Sequence, residues 1–326
     1  MSGVQTLTVS PEDTDLRLDR WFKKHFPGLA YARLQRALRK GEVRVDGKRA
    51  KADVRLSSGQ AVRVPPLDAA PPKVSHPSRF GVGNLSDADV EFVRSLVIYK
   101  DDDVIAIDKP PGLAVQGGTG TTRHLDGLLD GLRYDAAERP KLIHRLDRDT
   151  SGVLLLARNR AAAAEMGRAF RHKTARKVYW AILVGVPEMP DGVIDMVLGK
   201  VASGGGERVM AGAEDGKRAI SEFQVLEKAG KHASAVALWP RTGRTHQLRV
   251  HMAALGCPIL GDGKYGEGLA RLEGAEFPKG LMLHARALEI PGLLRITAGA
   301  PKPFLETCEL LGFLPKSWPQ DPFADE

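Results

Sequence analysis

The sequence predicts an α+β protein with two domains. Its 326 residues, 43% of them hydrophobic and 27% charged, are enough to bury a large core and to form more than one domain. Helical and strand-like patterns occur on both sides of a stretch rich in proline and alanine. That stretch predicts a linker over residues 66–95, between domains at residues 14–65 and 96–315. Residues 316–326 are predicted to form a disordered tail.

Composition argues against several classes of protein. No run of about 18 apolar residues occurs, so no membrane span is predicted. Residues 1–10 lack the basic and apolar segments of a secretory signal. Cys257 and Cys308 are far apart, which suits a reducing cytoplasm better than a disulfide framework, and neither has histidines at the spacing of a zinc site. We therefore expect a cytoplasmic protein that binds no metal.

Two helices and a small sheet are predicted near the N-terminus. The first helix has apolar residues at i, i+3 and i+4, namely Leu18, Trp21 and Phe22. The second spans residues 30–40, ends at Gly41 and turns three residues inward, Leu34, Ala37 and Leu38. A tight hairpin around Asp46-Gly47-Lys48 follows, and residues 53–56 and 61–64 are predicted strands.

The net charge of +8 is concentrated in this region: residues 1–65 contain 14 lysines and arginines against 7 acidic residues. Four of these cations share one face of the second helix: Arg33, Arg36, Arg39 and Lys40. The region resembles the S-four-type RNA-binding domain, which implies that these side chains grip RNA phosphates. Phosphate contacts give salt-dependent affinity without choice of base sequence. A solvated surface helix is the alternative.

The stretch from His144 to Arg158 changes character at Gly152. Before the glycine it is dense in charge, and after it Val153–Ala157 predicts a buried strand. Charges beside a buried strand need partners or a ligand, because burying one unpaired costs several kcal/mol. The pattern is typical of an active-site loop, although a solvated turn that enters a strand would look similar.

Within this stretch, His144-Arg145-Leu146-Asp147 followed by Thr150-Ser151-Gly152 resembles the signature of the RluA-type pseudouridine synthases. Later motifs, Lys177-x-Tyr179 and Gly243 to His251, agree with that family in order and spacing. The attached N-terminal domain resembles the RluC-type branch, which modifies large-subunit ribosomal RNA. The resemblance implies a mixed, mainly antiparallel sheet with flanking helices. It also implies a monomeric, cofactor-free isomerase that acts on ribosomal RNA.

The resemblance assigns roles to five residues of the second domain. Asp147 is the carboxylate that acts on the ribose, either by attack at the anomeric carbon or by removal of the 2′ proton. Tyr179 is expected to stack on the uracil, and Arg249 to pair with Asp147 and fix its direction. Leu248 would form a wall of the pocket. Arg145 would fill the position that the uridine vacates when it leaves its stack.

Two other functions remain possible at this level. A hydrolase could use His144 with Asp147, but no serine or cysteine lies in a nucleophile motif. A non-catalytic RNA-binding or ribosome-assembly protein would need only the basic domain. Release of tritium from carbon-5-labelled RNA separates an isomerase from both.

Thr245 is predicted to cap a helix from His246 to Leu255 that ends at Gly256. His246 and His251 are five residues apart, which does not place them on one helical face as metal ligands. They are interpreted as structural or RNA-adjacent residues. Asp149, the rival carboxylate of the loop, is assigned to loop bonding.

Overall fold

The computed structural model describes residues 3–66, 85–117, 123–203, 206–274 and 276–323. The chain divides into two compact units, Met1–Gly81 and Val82–Glu326. Most of the predicted linker, residues 67–84, lies outside the described residues, as do the last three residues of the predicted tail.

The N-terminal unit packs two helices against a small antiparallel sheet. Its elements are β1 (Gln5–Thr8), α1 (Leu18–His25), α2 (Tyr31–Lys40), β2 (Arg44–Val45), β3 (Lys48–Arg49) and β4 (Ala61–Val64). The strand order is β1-β4-β2-β3. All six apolar residues that the helical periodicity placed inward are buried. Both helix predictions are therefore confirmed, with Gly41 in the left-handed conformation after α2.

The hairpin between β2 and β3 turns at Asp46 and Gly47, whose φ angles are 47° and 75°. Two consecutive left-handed residues are what a two-residue hairpin turn requires. The predicted strand at residues 53–56 is not part of this sheet. Its backbone instead bonds to the segment that leads into α1, with Leu18 N–H donating to Val54 O and Leu56 N–H donating to Leu16 O.

In the described part of the second unit, eleven strands form one mixed sheet. They are β5 (Val97–Lys100), β6 (Val104–Lys109), β7 (Lys141–Leu142), β8 (Ser151–Ala157), β9 (Arg176–Val184), β10 (Asp191–Ser203), β11 (Gly206–Ala211), β12 (Lys217–Ala229), β13 (Ala233–Pro240), β14 (Leu283–Ile290) and β15 (Leu294–Thr297). The order is β11-β10-β12-β13-β9-β14-β8-β6-β5, with β15 on β14 and β7 on β8. Only β8 and β14 pair in parallel among these strands.

The helices of this unit cover the sheet. Those that the structure describes are α3 (Asp87–Ser95), α4 (Leu125–Leu128), α5 (Arg160–Arg171), α6 (Gln247–Ala254) and α7 (Lys302–Leu311). From Gly152 to Ala157 the buried strand β8 has no polar side chain, because both of its faces are covered. Leu154 and Leu156 pack in a cluster with α4, whereas Val153 and Leu155 pack in another with Met166 of α5.

Two boundary predictions were wrong. Helix α3 lies within the predicted linker but belongs to the second unit, where its Val93 is fully buried beside Leu129. Ser86 caps this helix, since its side chain accepts a hydrogen bond from Asp89 N–H. The predicted tail is ordered as far as Phe323, because Trp318 packs edge-on against Trp180 with ring centroids 4.9 Å apart.

None of the helices in the described ranges is long and apolar enough to cross a membrane.

Candidate active site

The loop that carries Asp147 is anchored at Gly152, where β8 begins to pair with β14. Gly152 has a φ of 108°, and a Cβ atom there would lie 2.2 Å from the carbonyl oxygen of Ala285. Beside it, the buried Ser151 Oγ lies 3.0 Å from Nδ1 of His284. The close parallel approach of the two strands therefore requires glycine at this position.

We expect Gly152→Ala to destabilise the second unit by roughly 3 kcal/mol or more, because the methyl group collides with backbone that cannot move aside. Gly292→Ala is the matched control: its φ is 73°, but nothing lies within 4 Å of the new Cβ. That variant should lose only about 1 kcal/mol from backbone strain. Urea unfolding of both variants measures the difference, and equal losses would rule out the collision.

Lys109 holds the Asp147 loop in place through hydrogen bonds to backbone oxygens. Its side chain is fully buried at the end of β6 and donates hydrogen bonds to the backbone oxygens of Pro110, Leu113 and Arg148, at 2.8, 2.9 and 2.9 Å. Burial lowers the pKa of Lys109 to about 8. Since Arg148 directly follows Asp147, this ammonium ties the loop that carries Asp147 to the central sheet.

The loop borders a cavity of about 570 Å³. Asp147, Tyr179 of β9, and Leu248 and Arg249 of α6 all line it, as the sequence predicted for one site. Arg145 lines it too and is exposed. The structure thus brings together all five residues that the sequence assigned to the catalytic domain.

Tyr179 is placed to act as a neutral phenol. Burial, and then the nearby Asp147 carboxylate, raise the pKa of Tyr179. The tyrosine lies between the two main apolar clusters of the unit. With its hydroxyl protonated, Tyr179 offers an apolar ring face and one hydrogen-bond donor to a ligand in the cavity.

Arg249 does not pair with Asp147 as expected. Its Nε and Nη2 donate to the two carboxylate oxygens of Asp262, at 2.8 and 2.7 Å. The Asp262 side chain is only 1% exposed, whereas that of Asp147 is 21% exposed and can reach the water of the cavity. The more deeply buried carboxylate needs the guanidinium more, so it takes both hydrogen bonds. Burial lowers the pKa of Arg249, but the bond to Asp262 and, more weakly, the charge of Asp147 raise it, and the net shift is upward.

The ionisable side chain of His246 approaches Asp147. Its Nε2 lies 3.9 Å from Asp147 Oδ2, and its Nδ1 lies 2.6 Å from the Tyr265 hydroxyl. Asp262 and Tyr265 belong to one short block of sequence, to which no role in the site was assigned. Only the fold shows that this block holds Arg249 and His246 together.

Helix α6 begins at Gln247, and the predicted cap, Thr245, is exposed. The residue before the helix is His246 in a left-handed conformation, with φ 54°, and it makes no side-chain cap. Gln247 stabilises the turn that precedes α6, because its Oε1 accepts hydrogen bonds from Thr242 Oγ1 and Arg244 N–H. The prediction of a Thr245 cap was therefore wrong.

Comparison with known proteins identifies the family. The chain is 35% identical over 324 residues to the ribosomal large subunit pseudouridine synthase C of Salmonella typhi. The match covers 95% of this chain and 97% of the relative. The enzyme of the same name from Yersinia pestis is 36% identical over 292 residues, or 87% of each chain. Residues 103–254 match the model of the RNA pseudouridylate synthase family. The chain belongs to this family.

A solved structure agrees with the assignment. The human RNA pseudouridylate synthase domain containing 4 superposes with a TM-score of 0.58 at 29% identity, over 69% of this chain and 97% of that one. The predicted fold and the predicted enzyme class, an RNA pseudouridine synthase, are thereby confirmed.

Sequence reasoning missed several basic residues of this pseudouridine synthase cavity. Besides Arg145 and Arg249, it is lined by Arg171, Lys173, Lys177, Arg241 and Arg244. Strand alternation could have found Lys177, since it lies two residues before Tyr179 and faces the same side. Burial lowers the pKa of Lys177 to about 8. The wall around Asp147 is therefore strongly cationic.

The hydrolase alternative finds no support in the geometry. His144 Nε2 accepts a hydrogen bond from Leu155 N–H, and its ring stacks on Phe170 with centroids 4.6 Å apart. Burial lowers the pKa of His144 to about 3. Because Nε2 already accepts this backbone hydrogen bond and the low pKa makes the ring a weak proton acceptor, His144 supports the loop and is poorly suited to act as a general base.

The four cations predicted to grip RNA in the N-terminal unit are not equivalent. Arg33 Nη1 lies 3.2 Å from Glu42 Oε2, and Lys40 Nζ lies 3.9 Å from the other oxygen of the same carboxylate. Arg36 and Arg39 are exposed. We expect the latter two to contribute more to binding of a polyanion.

Among the residues that the structure describes, no group of three His, Cys, Asp or Glu side chains could hold a metal ion.

Proposed function

We propose that this pseudouridine synthase converts uridines of large-subunit ribosomal RNA to pseudouridine, with Asp147 as the catalytic carboxylate and the target base flipped into the cavity. The observation that carries the proposal is the meeting of Asp147 and Tyr179 in one cationic cavity. Relatives named for the large ribosomal subunit, which match over nearly the whole chain, support the substrate class.

The reaction breaks the bond between uracil N1 and ribose C1′, rotates the base and joins C5 to C1′. The proton on C5 is lost and N1 gains one, so no group enters from outside and no electrons are transferred. Asp147 supplies the carboxylate that the ribose needs, by attack at C1′ or by removal of the 2′ proton. Both routes require an oxygen of Asp147 within contact distance of the sugar.

Tyr179 and Leu248 are proposed to hold the uracil while it is detached. Leu248 is 6% exposed and offers an apolar wall, and the phenol ring of Tyr179 offers a face for stacking. Stacking of a base on an aromatic side chain contributes about 1–3 kcal/mol. Such a contact would let the base rotate without escaping into solvent.

Base flipping follows from the depth of the site. A uridine within folded RNA cannot reach Asp147 unless it leaves its stack, which costs a few kcal/mol. A cavity of about 570 Å³ has room for one nucleoside. Arg145 is exposed two residues before Asp147, so it can fill the vacated position. The other cations of the cavity would contact the neighbouring phosphates.

The test uses ribosomal RNA labelled with tritium at uridine C5. We expect the protein to release tritium and to leave pseudouridine at defined positions of the large-subunit RNA, mapped in a strain that lacks the gene and in the complemented strain. RNA binding without tritium release would instead favour the non-catalytic RNA-binding function.

The N-terminal unit is proposed to bind RNA phosphates. Replacing Arg36 and Arg39 by glutamine should make the slope of log K against log salt shallower by about 1–2, because each phosphate contact contributes about 0.7–0.9. The isomerisation rate at saturating RNA should stay unchanged.

The control for net charge is Lys228→Gln, at the end of β12, with Lys231→Gln, in the turn between β12 and β13. Pro240, at the other end of β13, lines the cavity, so this turn lies on the order of 25 Å away. An equal change in slope for both pairs would show that Arg36 and Arg39 have no specific role.

A further inference from the structure

His246 occupies a strained position beside the catalytic carboxylate. Its φ of 54° is unusual for a residue with a side chain, and it directly precedes α6, whose next residues line the cavity. Such conformations persist only where the surrounding structure enforces them, and they cluster at functional sites. The conformation places the imidazole between Asp147 and Tyr265.

The hydrogen bonds around Tyr265 favour one tautomer of the His246 ring. The backbone N–H of Val209 donates to the Tyr265 hydroxyl oxygen at 3.3 Å. The hydroxyl proton is then directed to the other close partner, His246 Nδ1, at 2.6 Å. If Nδ1 accepts, a neutral imidazole carries its proton on Nε2, which is the nitrogen 3.9 Å from Asp147 Oδ2.

We propose that His246 is a positioning residue for Asp147: Tyr265 holds the imidazole in the neutral tautomer protonated on Nε2, and this N–H directs the carboxylate toward the ribose. The inference rests on the proposed function of Asp147. At 3.9 Å the two atoms are beyond hydrogen-bond distance in the free protein, and the bond forms when RNA closes the site.

The surrounding charges favour a neutral imidazole. Burial is the largest effect and lowers the pKa of His246. Arg249 and Lys264 act in the same direction, whereas Asp147 and Asp262 oppose them. A neutral donor orients Asp147 without cancelling the negative charge that the carboxylate needs for its reaction.

Two substitutions at His246 separate the donor from the backbone conformation. His246→Gln keeps an N–H at about the position of Nε2, although glutamine is less suited to a left-handed conformation. His246→Asn suits that conformation better and reaches the Tyr265 hydroxyl, but it has no group near Asp147. A purely structural residue would tolerate asparagine at least as well as glutamine.

We expect the single-turnover rate of His246→Asn at saturating RNA to fall about 10–100-fold, the usual effect of losing a hydrogen bond to a charged group. The dissociation constant for RNA should change less than about threefold, since phosphate contacts dominate affinity. His246→Gln should recover most of the rate. Rates of His246→Asn equal to or above those of His246→Gln would overturn the proposal.

A second measurement needs no substitution at His246. The nitrogen-15 shifts of its ring in the wild-type protein should show a proton on Nε2 and none on Nδ1 at neutral pH. Tyr265→Phe, which removes the hydroxyl and keeps the ring, should raise the pKa of His246 and move the acid limb of the rate profile to higher pH. A wild-type ring protonated on Nδ1 would overturn the assignment.

The failures of the two proposals are distinguishable. If the wild-type protein makes no pseudouridine, the proposed function falls, and the tautomer measurement still tests the pairing with Tyr265. If the wild type is active but asparagine serves as well as glutamine, only the positioning role falls.

Discussion

Asp147→Asn is expected to lower the single-turnover rate of pseudouridine formation by at least about 10³-fold, because an amide can neither attack C1′ nor accept the 2′ proton. RNA affinity should remain within about threefold of wild type, since it depends on many basic side chains. The measurement is tritium release from saturating RNA in a single turnover, with affinity determined separately by filter binding.

Asp149→Asn is the matched control, because the same chemical change is made two residues away in the same loop. The Asp149 side chain is 40% exposed and pairs with Arg148, with Nε and Oδ1 2.9 Å apart. An exposed pair of this kind contributes about 1 kcal/mol or less, so the rate should change only a few fold. A larger loss in Asp149→Asn than in Asp147→Asn would reverse the assignment of the catalytic carboxylate.

Arg249→Met should destabilise the second unit by about 3–5 kcal/mol, because it leaves the carboxylate of Asp262 buried without its cation. Two backbone N–H groups, those of Lys264 and Tyr265, would remain as its hydrogen-bond donors. Replacing both residues, as Arg249→Met with Asp262→Leu, should recover part of the loss. Urea unfolding of the single and double variants measures both effects.

The destabilisation should depend on pH in a defined direction. Burial raises the pKa of Asp262 and the bond to Arg249 lowers it, with a net shift below the usual value. A carboxyl group with a depressed folded-state pKa stabilises the protein above its unfolded pKa, and that contribution is lost as the pH falls through the folded pKa. The difference in unfolding free energy between wild type and Arg249→Met should therefore narrow in acid. A difference independent of pH would mean that Arg249 acts by packing alone.

The effect of Arg249→Met on catalysis depends on which carboxylate Arg249 binds. If Arg249 paired with Asp147, its loss would act directly on the proposed catalytic carboxylate. Because it binds Asp262, its loss instead loosens the block that holds Tyr265 and, through it, His246. We expect activity to fall together with stability, and the double variant to regain stability more fully than rate.

The features that depend on near neighbours in the chain could be predicted from the sequence. The helical periodicity around Trp21 and Leu34 placed their side chains in the core correctly, and the apolar run after Gly152 identified the central strand. The loop signature identified Asp147, and the later motifs placed Tyr179 and Leu248 at the same cavity. The helix and strand predictions succeeded because each depends on residues a few positions away, whereas the common site of Asp147, Tyr179 and Leu248 was implied by the family resemblance.

The partner of each charged or polar group could not be predicted from the sequence and became known from the tertiary structure. Arg249 could have bound either of two carboxylates, and the choice of Asp262 followed from burial, which no spacing in the sequence reveals. The fold likewise brought His246 between Asp147 and Tyr265. Partner choice depends on distance and on competition for desolvated charge, and both exist only once segments far apart in the chain have packed together.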